Sequence, residues 1–589
     1  MNRHPLQHPD SPAAGPGSTP GAPAIVTDSI RDTIDSIVVA FILAFVFRAF
    51  IVEAFVIPTG SMAPSLFGMH GQHRCANCSY SFAYGIREPI PSPEVRDYGT
   101  LFTDRGEIRS FSVRCPNCSW DGEGNSELNV RSNQVVPDSG DRILVLKWPY
   151  DLGGPWLGPK RWDVVVFKNP QDGEVNFIKR LLGLPGEVLQ IINGDVFAAP
   201  IKSVPDDIVK ALDGPPPGDP LEARLTDEQM KRLARVMKIQ RKPRVAQDSL
   251  WMLHYDHDFV PHTFERNRMA RYYDPPRWIE RDPGSALAWS TRTPLVTFKP
   301  TDTQLHWIDL TGARIEDEYG YNNTNYEPNS RNSTPARAVG DVLLSFVLFP
   351  DGSEGELSLM LAKGRDRFQA HLASDGTVRL ERFNDSIRGG FWEEIRKTKI
   401  AQLASRKPIE IEFENLDYRI ALRVNGDEVL ATDDAQYHPN LEDVLKSKYE
   451  DGHGQDAQIA IGVKLMSVEI RHLKVQRDVY YRSDRFVEHS IFNGAPGWGT
   501  ALNPILLRES PQDFFCCGDN SPQSKDSRLW TDVCELLRER KPPNEYRYGT
   551  VPGDQLIGQA FFVYWPSGLR FSKNSMAVIP NVGRMRMIR

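Results

Sequence analysis

The chain has 589 residues, 40% apolar and 25% charged, with a formal net charge of −7 and seven cysteines. That length exceeds what one core can use and implies three or more domains. The small charge excludes the basic footprint of a nucleic-acid binder, and four of the cysteines form two CxxC pairs, which is not the scatter of a disulfide scaffold.

Residues 1–30 read as a disordered tail, rich in Pro, Gly, Ser and Ala and too poor in large apolar residues to offset ordering entropy. Residues 31–54 read as a transmembrane anchor. Ile37 to Phe47 is a run of eleven apolar residues, and with its flanks it could span about 30 Å of hydrocarbon. Arg48 and Glu53 fall near its end, where long side chains reach the interface. A buried helix of a soluble domain is the alternative. A cleaved signal peptide fits less well, because no small-x-small site follows. Basic residues before the span are sparse, so charge does not fix its orientation.

Residues 55–70, FVIPTGSMAPSLFGMH, place Ser61 directly after the span. Pro-Thr-Gly-Ser is ordinary turn chemistry. A nucleophilic role for Ser61 would need a base. None of the 13 histidines sits in a pattern that points at it. Lys179 is the other candidate, inside a Val/Ile/Leu-rich strand, where burial would lower its pKa. Lys147 and Lys168 instead alternate with apolar positions, as solvent-facing residues do.

Residues 71–131 carry RCANCSY and RCPNCSW. Two CxxC knuckles with matching flanks favour a zinc ribbon, with Cys75, Cys78, Cys115 and Cys118 as thiolate ligands. Two disulfides are the alternative if this part meets an oxidising compartment. Residues 132–200 hold strand-like runs bounded by Pro185-Gly186 and Asn193-Gly194 turns. Residues 201–284 read as linker plus one short helix, opened by Thr226 and Gln229 in capping-box spacing. In residues 285–495 apolar residues alternate, as at Ile409, Ile411 and Phe413, and Asn425-Gly426 makes a hairpin turn. This reads as a β-sandwich, loosely similar to concanavalin- or laminin-G-like jelly rolls, with its own core beside the rest. Residues 496–589 return to compact β character, and Cys516-Cys517 read as small core residues there.

EAFVIPTGSM after the span, FIKRLLGLPGE in a strand and GDNSPQSKDSR near the C-terminus occur in that order. In these motifs the chain resembles the type I signal peptidases, membrane-bound Ser/Lys proteases that remove signal peptides. The resemblance covers residues 34–70, 135–200 and 510–566. It implies a mainly β fold: an N-terminal transmembrane helix and a catalytic domain in three parts, 55–70, 132–200 and 496–589, split by the ribbon-like and sandwich inserts. It implies Ser61 as nucleophile and Lys179 as general base. The Ser61 N–H and the Thr59 hydroxyl would form the oxyanion hole, and Ser524 would orient the lysine amine. Gly518, Asp519, Asn520, Asp526 and Arg528 would support that loop. Phe55, Ile57, Pro58, Phe177 and Ile178 would line shallow pockets for small side chains. Thr59 replaces the more usual Ser, and Ser521-Pro522-Gln523 replaces a more polar run; both keep the atom types needed.

The expected function is a membrane-anchored serine endopeptidase that cuts signal peptides from exported preproteins after small-x-small motifs. It would sit in the inner (plasma) membrane with a single pass, N-terminus cytoplasmic and catalytic domain outside. Its partners would be preproteins, the lipid bilayer and, at 285–480, a carbohydrate or protein ligand, with no nucleic acid. Catalysis would need no cofactor, and zinc would be structural. The rival reading is a catalytically dispensable scaffold that presents the sandwich at the membrane surface.

Overall fold

The computed structural model describes residues 26–85, 110–111, 113–120, 130–131, 138–214, 224–262, 275–282, 294–300, 302–325, 336–352, 354–386, 388–446, 455–483, 497–542, 545–568 and 579–588. Most of the expected tail and much of the Cys-rich segment, 86–109 and 121–129, lie outside the described residues. The chain divides into an N-terminal unit ending at Glu53 and a body, Ala54–Arg589.

The N-terminal unit contains a helix, Val26–Val46, continued by a wider π-type turn, Phe47–Ile51. The stretch Arg31–Ile51 is 21 residues and contains an 18-residue window with a mean hydropathy of 2.3, long and apolar enough to cross a membrane.

The body is mainly β. Its first sheet follows the order Val52–Val56, Arg142–Leu146, Leu556–Trp565, Val164–Lys168, Asn176–Gly183, Asp513–Cys517, Val551–Pro552, with Arg586–Met587 also paired to Leu556–Trp565. One sheet thus unites three stretches of chain that lie far apart in sequence. Val164, Val165, Val166 and Phe167 are all buried, so this strand is covered on both faces and reads as an unbroken apolar run. A second sheet orders Lys238–Ile239, Asp195–Pro200, Glu187–Ile192 and Ile505–Leu507. Asn193 and Gly194 join its central hairpin with φ of +50° and +89°, the left-handed pair that a two-residue hairpin turn requires.

Among the described residues two seven-stranded sheets build the sandwich. One contains Met252–Asp256, Val296–Phe298, Val342–Asp351, Ile409–Leu416, Arg419–Val424, Asp427–Ala431 and Ser467–Arg477. The other contains Arg277–Glu280, His306–Thr311, Glu356–Lys363, Asp366–Ala373, Thr377–Asn384, Phe391–Lys399 and Ala457–Lys464. Their inner faces share one apolar core that includes Phe346, Leu359, Phe413 and Ile461. Residues 201–284 are more structured than a linker: they supply two sandwich strands, the strand Lys238–Ile239 and the helices Asp206–Asp213 and Asp227–Ala234. Thr226 and Gln229 form the full capping box. The helix ends at Ala234, and Lys238–Ile239 pairs instead as a strand with Phe197 and Ala198.

Candidate active site

Thr59 is extended (φ −115°, ψ 160°), and Gly60–Met62 then makes a single 3-10 turn. Pro58, just before it, cannot donate a backbone hydrogen bond, and the fully buried Met62 anchors the far side. The Ile57 N–H donates to the Asp141 carbonyl at 2.9 Å, tying the entry of the turn to the sheet. Ser61 is left half-buried at the apex.

Asn176–Gly183 brings Lys179 to this turn. It pairs with Val164–Lys168 in the register Val165↔Lys179, and its other edge pairs with Asp513–Cys517. Lys179 is only 4% exposed. Its Nζ donates to Ser61 Oγ at 2.8 Å and to the Ile178 carbonyl at 3.0 Å, and it lies 5.2 Å from the centroid of the Phe177 ring. Burial lowers its pKa to about 8, against weaker upward pulls led by Asp526. Among the described residues Lys179 forms no ion pair.

The nearby carboxylates are held by arginines instead. Arg180 makes a fork-to-fork pair with Asp519, two bonds of 2.8 Å, with both side chains fully buried. Asp526 and Arg528 form a second buried pair at 2.6 Å. Burial pushes the Asp526 carboxyl up, but the Arg528 charge overrides it and holds the carboxyl below its usual range. Asp526 Oδ2 also accepts from the Gly518 N–H at 3.0 Å. Asn520 binds the Ser61 turn directly: its N–H donates to the Ser61 carbonyl at 3.0 Å and its Nδ2 to the Gly60 carbonyl at 2.9 Å. Gly518 has no room for a side chain, since a Cβ would fall 2.4 Å from the Ser61 carbonyl oxygen.

The other expected site residues lie around the turn and the lysine in different settings. Phe55, Ile57 and Ile178 pack with Met62 and Val166 in one cluster, while Pro58 is exposed. Phe177 stands beside the lysine amine. Thr59 is exposed next to the turn. Ser524 is fully buried beside Gly518, and among the described residues its Oγ forms no hydrogen bond to the lysine amine, so that expected bond is not made.

Sequence reasoning missed Tyr321, Asn322, Tyr481 and Arg482. Tyr481 Oη donates to Asp519 at 3.4 Å and the Arg482 N–H to Ser521 Oγ at 2.8 Å. Asn322 bonds Asn520, 198 residues away. No local pattern announces such contacts.

Cys75, Cys78, Cys115 and Cys118 converge, all buried, with their sulfurs within 4.8 Å of one another. Cys75–Cys118 and Cys78–Cys115 are each 3.6 Å apart. Four sulfurs around one ion at about 2.3 Å would be separated by roughly 3.8 Å, so the donor set fits tetrahedral thiolate coordination. The spacing is far longer than a disulfide of about 2.05 Å. A second acidic cluster, Asp195, Asp341 and Asp417, is buried but held by lysines: Lys363 reaches Asp195 and Asp341, and Lys242 reaches Asp417.

The sequence profile of the family described as "Signal peptidase, peptidase S26" matches residues 126–258. That stretch holds Lys179; Ser61 and the 518–528 loop lie outside it. Signal peptidase I of Pseudomonas fluorescens is 29% identical over 168 residues, 25% of this chain and 55% of that protein. The enzyme of the same name from Pseudomonas aeruginosa is 26% identical over 169 residues, 26% of this chain and 56% of that protein. That of Buchnera aphidicola subsp. Baizongia pistaciae is 36% identical over 91 residues, 14% of this chain and 28% of that protein. The chain spans about half the length of the two Pseudomonas relatives. A carbohydrate binding module, CBM66 from Bacillus subtilis, overlays 34% of this chain and 94% of its own at 9% identity with a TM-score of 0.22, too slight a likeness to bear on fold or ligand. By its sequence the chain matches the signal peptidase S26 profile over residues 126–258 and is similar to enzymes named signal peptidase I.

Proposed function

We propose that this chain is a membrane-anchored serine endopeptidase that removes signal peptides from exported preproteins, cutting after small-x-small motifs with a Ser61/Lys179 dyad. The observation that carries the reading is the 2.8 Å contact between Ser61 Oγ and a buried Lys179 amine with a pKa lowered to about 8. In its neutral form that amine accepts the Ser61 proton as Oγ attacks the scissile carbonyl. The resulting ammonium then protonates the leaving amine. The acyl-enzyme is cleared by water, with Lys179 again taking a proton. The Ser61 N–H and the Thr59 hydroxyl serve the developing oxyanion, at about 2.7–4 kcal/mol per well-placed donor. The substrate pockets are formed by Phe55, Ile57, Pro58, Phe177 and Ile178.

The apolar stretch Arg31–Ile51 supports a membrane pass; that the pass is single, with the N-terminus cytoplasmic and the body outside, is carried over from the signal peptidase resemblance. It would hold the site at the bilayer surface, where signal peptides emerge. The thiolate cluster would hold one structural zinc ion, stabilising its fold.

The test is processing of a preprotein by the purified full chain in detergent or vesicles. Cleavage on the carboxyl side of a small-x-small motif, read by sequencing the new N-terminus, is expected, with none from Ser61→Ala. Processing retained by Ser61→Ala overturns the dyad. Elemental analysis of the same material is expected to give one zinc per chain; two disulfides and no zinc would overturn the metal assignment.

A further inference from the structure

The Ser61 turn is held from an unexpected direction. Gly320–Asn325, a short helical turn within the sandwich-bearing stretch of sequence, lies against it. Asn322 Nδ2 donates to Asn520 Oδ1 at 2.7 Å, and Asn520 Nδ2 donates back to Asn322 Oδ1 at 2.7 Å. The same Asn520 Nδ2 gives its other proton to the Gly60 carbonyl. Next to Asn322, the buried Tyr321 ring covers Gly60 so closely that a Cβ there would fall 2.3 Å from Tyr321 Cε1. Tyr321 is fixed in turn by Phe67 and Tyr319, with ring centroids at 5.7 and 5.9 Å, and its hydroxyl donates to the Met69 carbonyl at 3.3 Å.

Taking Ser61 as the nucleophile, we infer that Asn322 and Tyr321 are positioning residues for it, acting through Asn520 and Gly60. The argument is one of hydrogen-bond count. An Asn side chain has one NH₂ and one carbonyl, and either can face a neighbour unless the network decides. Gly60 offers only a carbonyl, so only the NH₂ of Asn520 satisfies it. The Gly60 carbonyl thus selects that orientation, and Asn322 holds it by accepting the second N–H and donating to Oδ1. Turned over, Asn520 would set its own carbonyl against that of Gly60. The Asn520 backbone N–H also holds the Ser61 carbonyl, so the residue that the amide pair orients grips the turn at two points, which sets the reach of Oγ to the lysine. Tyr321 fills the space into which the turn would otherwise relax. The region inserted in the sequence is therefore part of what holds the dyad.

The experiment uses the full chain with Asn322→Leu, which keeps the size and removes both amide groups. Expected is a fall in kcat of about 10- to 100-fold, the scale of a misplacement near 1 Å, with KM and the acidic limb of the pH–rate profile unchanged, since pockets and lysine are untouched. Asn520→Leu is expected to fall similarly, and the double variant no further than Asn520→Leu alone. A merely structural role would lower kcat and folded fraction together and leave the two losses multiplicative. A second readout does not need turnover: amide exchange over residues 59–63 is expected to quicken about tenfold in Asn322→Leu, while the core strand Val342–Asp351 stays protected. Unchanged exchange at 59–63, or kcat within about twofold of the parent, overturns the positioning role. A parent chain that processes no preprotein, with the exchange result as expected, overturns the peptidase reading instead.

Discussion

Lys179 and Lys363 are the same residue in similarly buried places, each 4% exposed, and they behave in opposite ways. Lys363 sits where the sandwich meets the strand Asp195–Pro200 and bonds Asp341 at 2.7 Å and Asp195 at 3.2 Å. Its neighbour Lys242 bonds Asp417 at 2.6 Å and Asp478 at 2.9 Å. Burial alone would lower both, yet the carboxylates override it and raise them above the ordinary lysine value. Among the described residues the Lys179 amine bonds a hydroxyl and a carbonyl and faces a ring, with no carboxylate paired to it, and burial wins. Desolvation is thus necessary for a lysine base but does not suffice; the partner decides. The candidate site is arranged for that outcome. Its two acids, Asp519 and Asp526, are each forked by an arginine, which removes them as partners for the amine.

The first way to break the comparison is to delete the dyad. Ser61→Ala and Lys179→Ala should each lose about 10⁴-fold or more in preprotein processing, and the double variant little more, because nucleophile and base act as one unit. Additive losses would show that Lys179 acts otherwise than as the base of Ser61. The paired lysine should respond in stability instead. Lys363→Met strands Asp195 and Asp341 in the interior and should cost about 3–5 kcal/mol in unfolding free energy. Denaturation of the full chain in detergent checks this; a loss well under 1 kcal/mol would mean the network is not dry.

How far the sequence announces these features depends on distance along the chain. Ser61, Lys179 and the 518–528 loop each sit in a short run whose spacing survives on its own, and the structure joins them. The alternation at Ile409, Ile411 and Phe413 correctly announces a strand, because one face of Ile409–Leu416 must be apolar to meet the core. Met252–Asp256 joins the same sheet, yet it is short, contains His254 and Asp256 and carries no clear period. The amide pair at Asn322 and Asn520 was illegible for a stronger reason: two asparagines in unpatterned loops have no signature until the fold brings them together. The four buried carboxylates and two lysines around Asp195 were equally hidden, since strand sequences show alternation but not which faces will meet.

The pH dependence of processing sharpens the comparison next. Only neutral Lys179 can take the Ser61 proton, so the rate should rise with pH through a midpoint of about 8 and fall roughly 100-fold between well above that and pH 6. A stopped assay on a short small-x-small peptide measures it. A midpoint near 6.5 that disappears when a histidine is replaced would transfer the base role to that histidine.

Lys179→Met then gives the smallest and most discriminating effect, because the same substitution that weakens the chain at Lys363 should strengthen it here. The folded pKa of about 8 lies below the ordinary value of 10.5, so below pH 8 the folded chain carries a buried ammonium that the unfolded chain carries in water. That penalty is fully present at pH 7, shrinks as pH rises from about 8 to about 10.5, and is gone above it. Removing the amine should therefore stabilise the fold at pH 7 by about 1–3 kcal/mol, at about 1.4 kcal/mol per pH unit between the two values, less the lost bonds to Ser61 and Ile178. The gain should fade toward pH 10. Unfolding measured in urea at pH 7 and pH 10 reads both signs. If Lys179→Met destabilises at pH 7 as Lys363→Met does, the amine is paired in the folded chain, and the contrast between the two lysines is lost along with the case for Lys179 as a base.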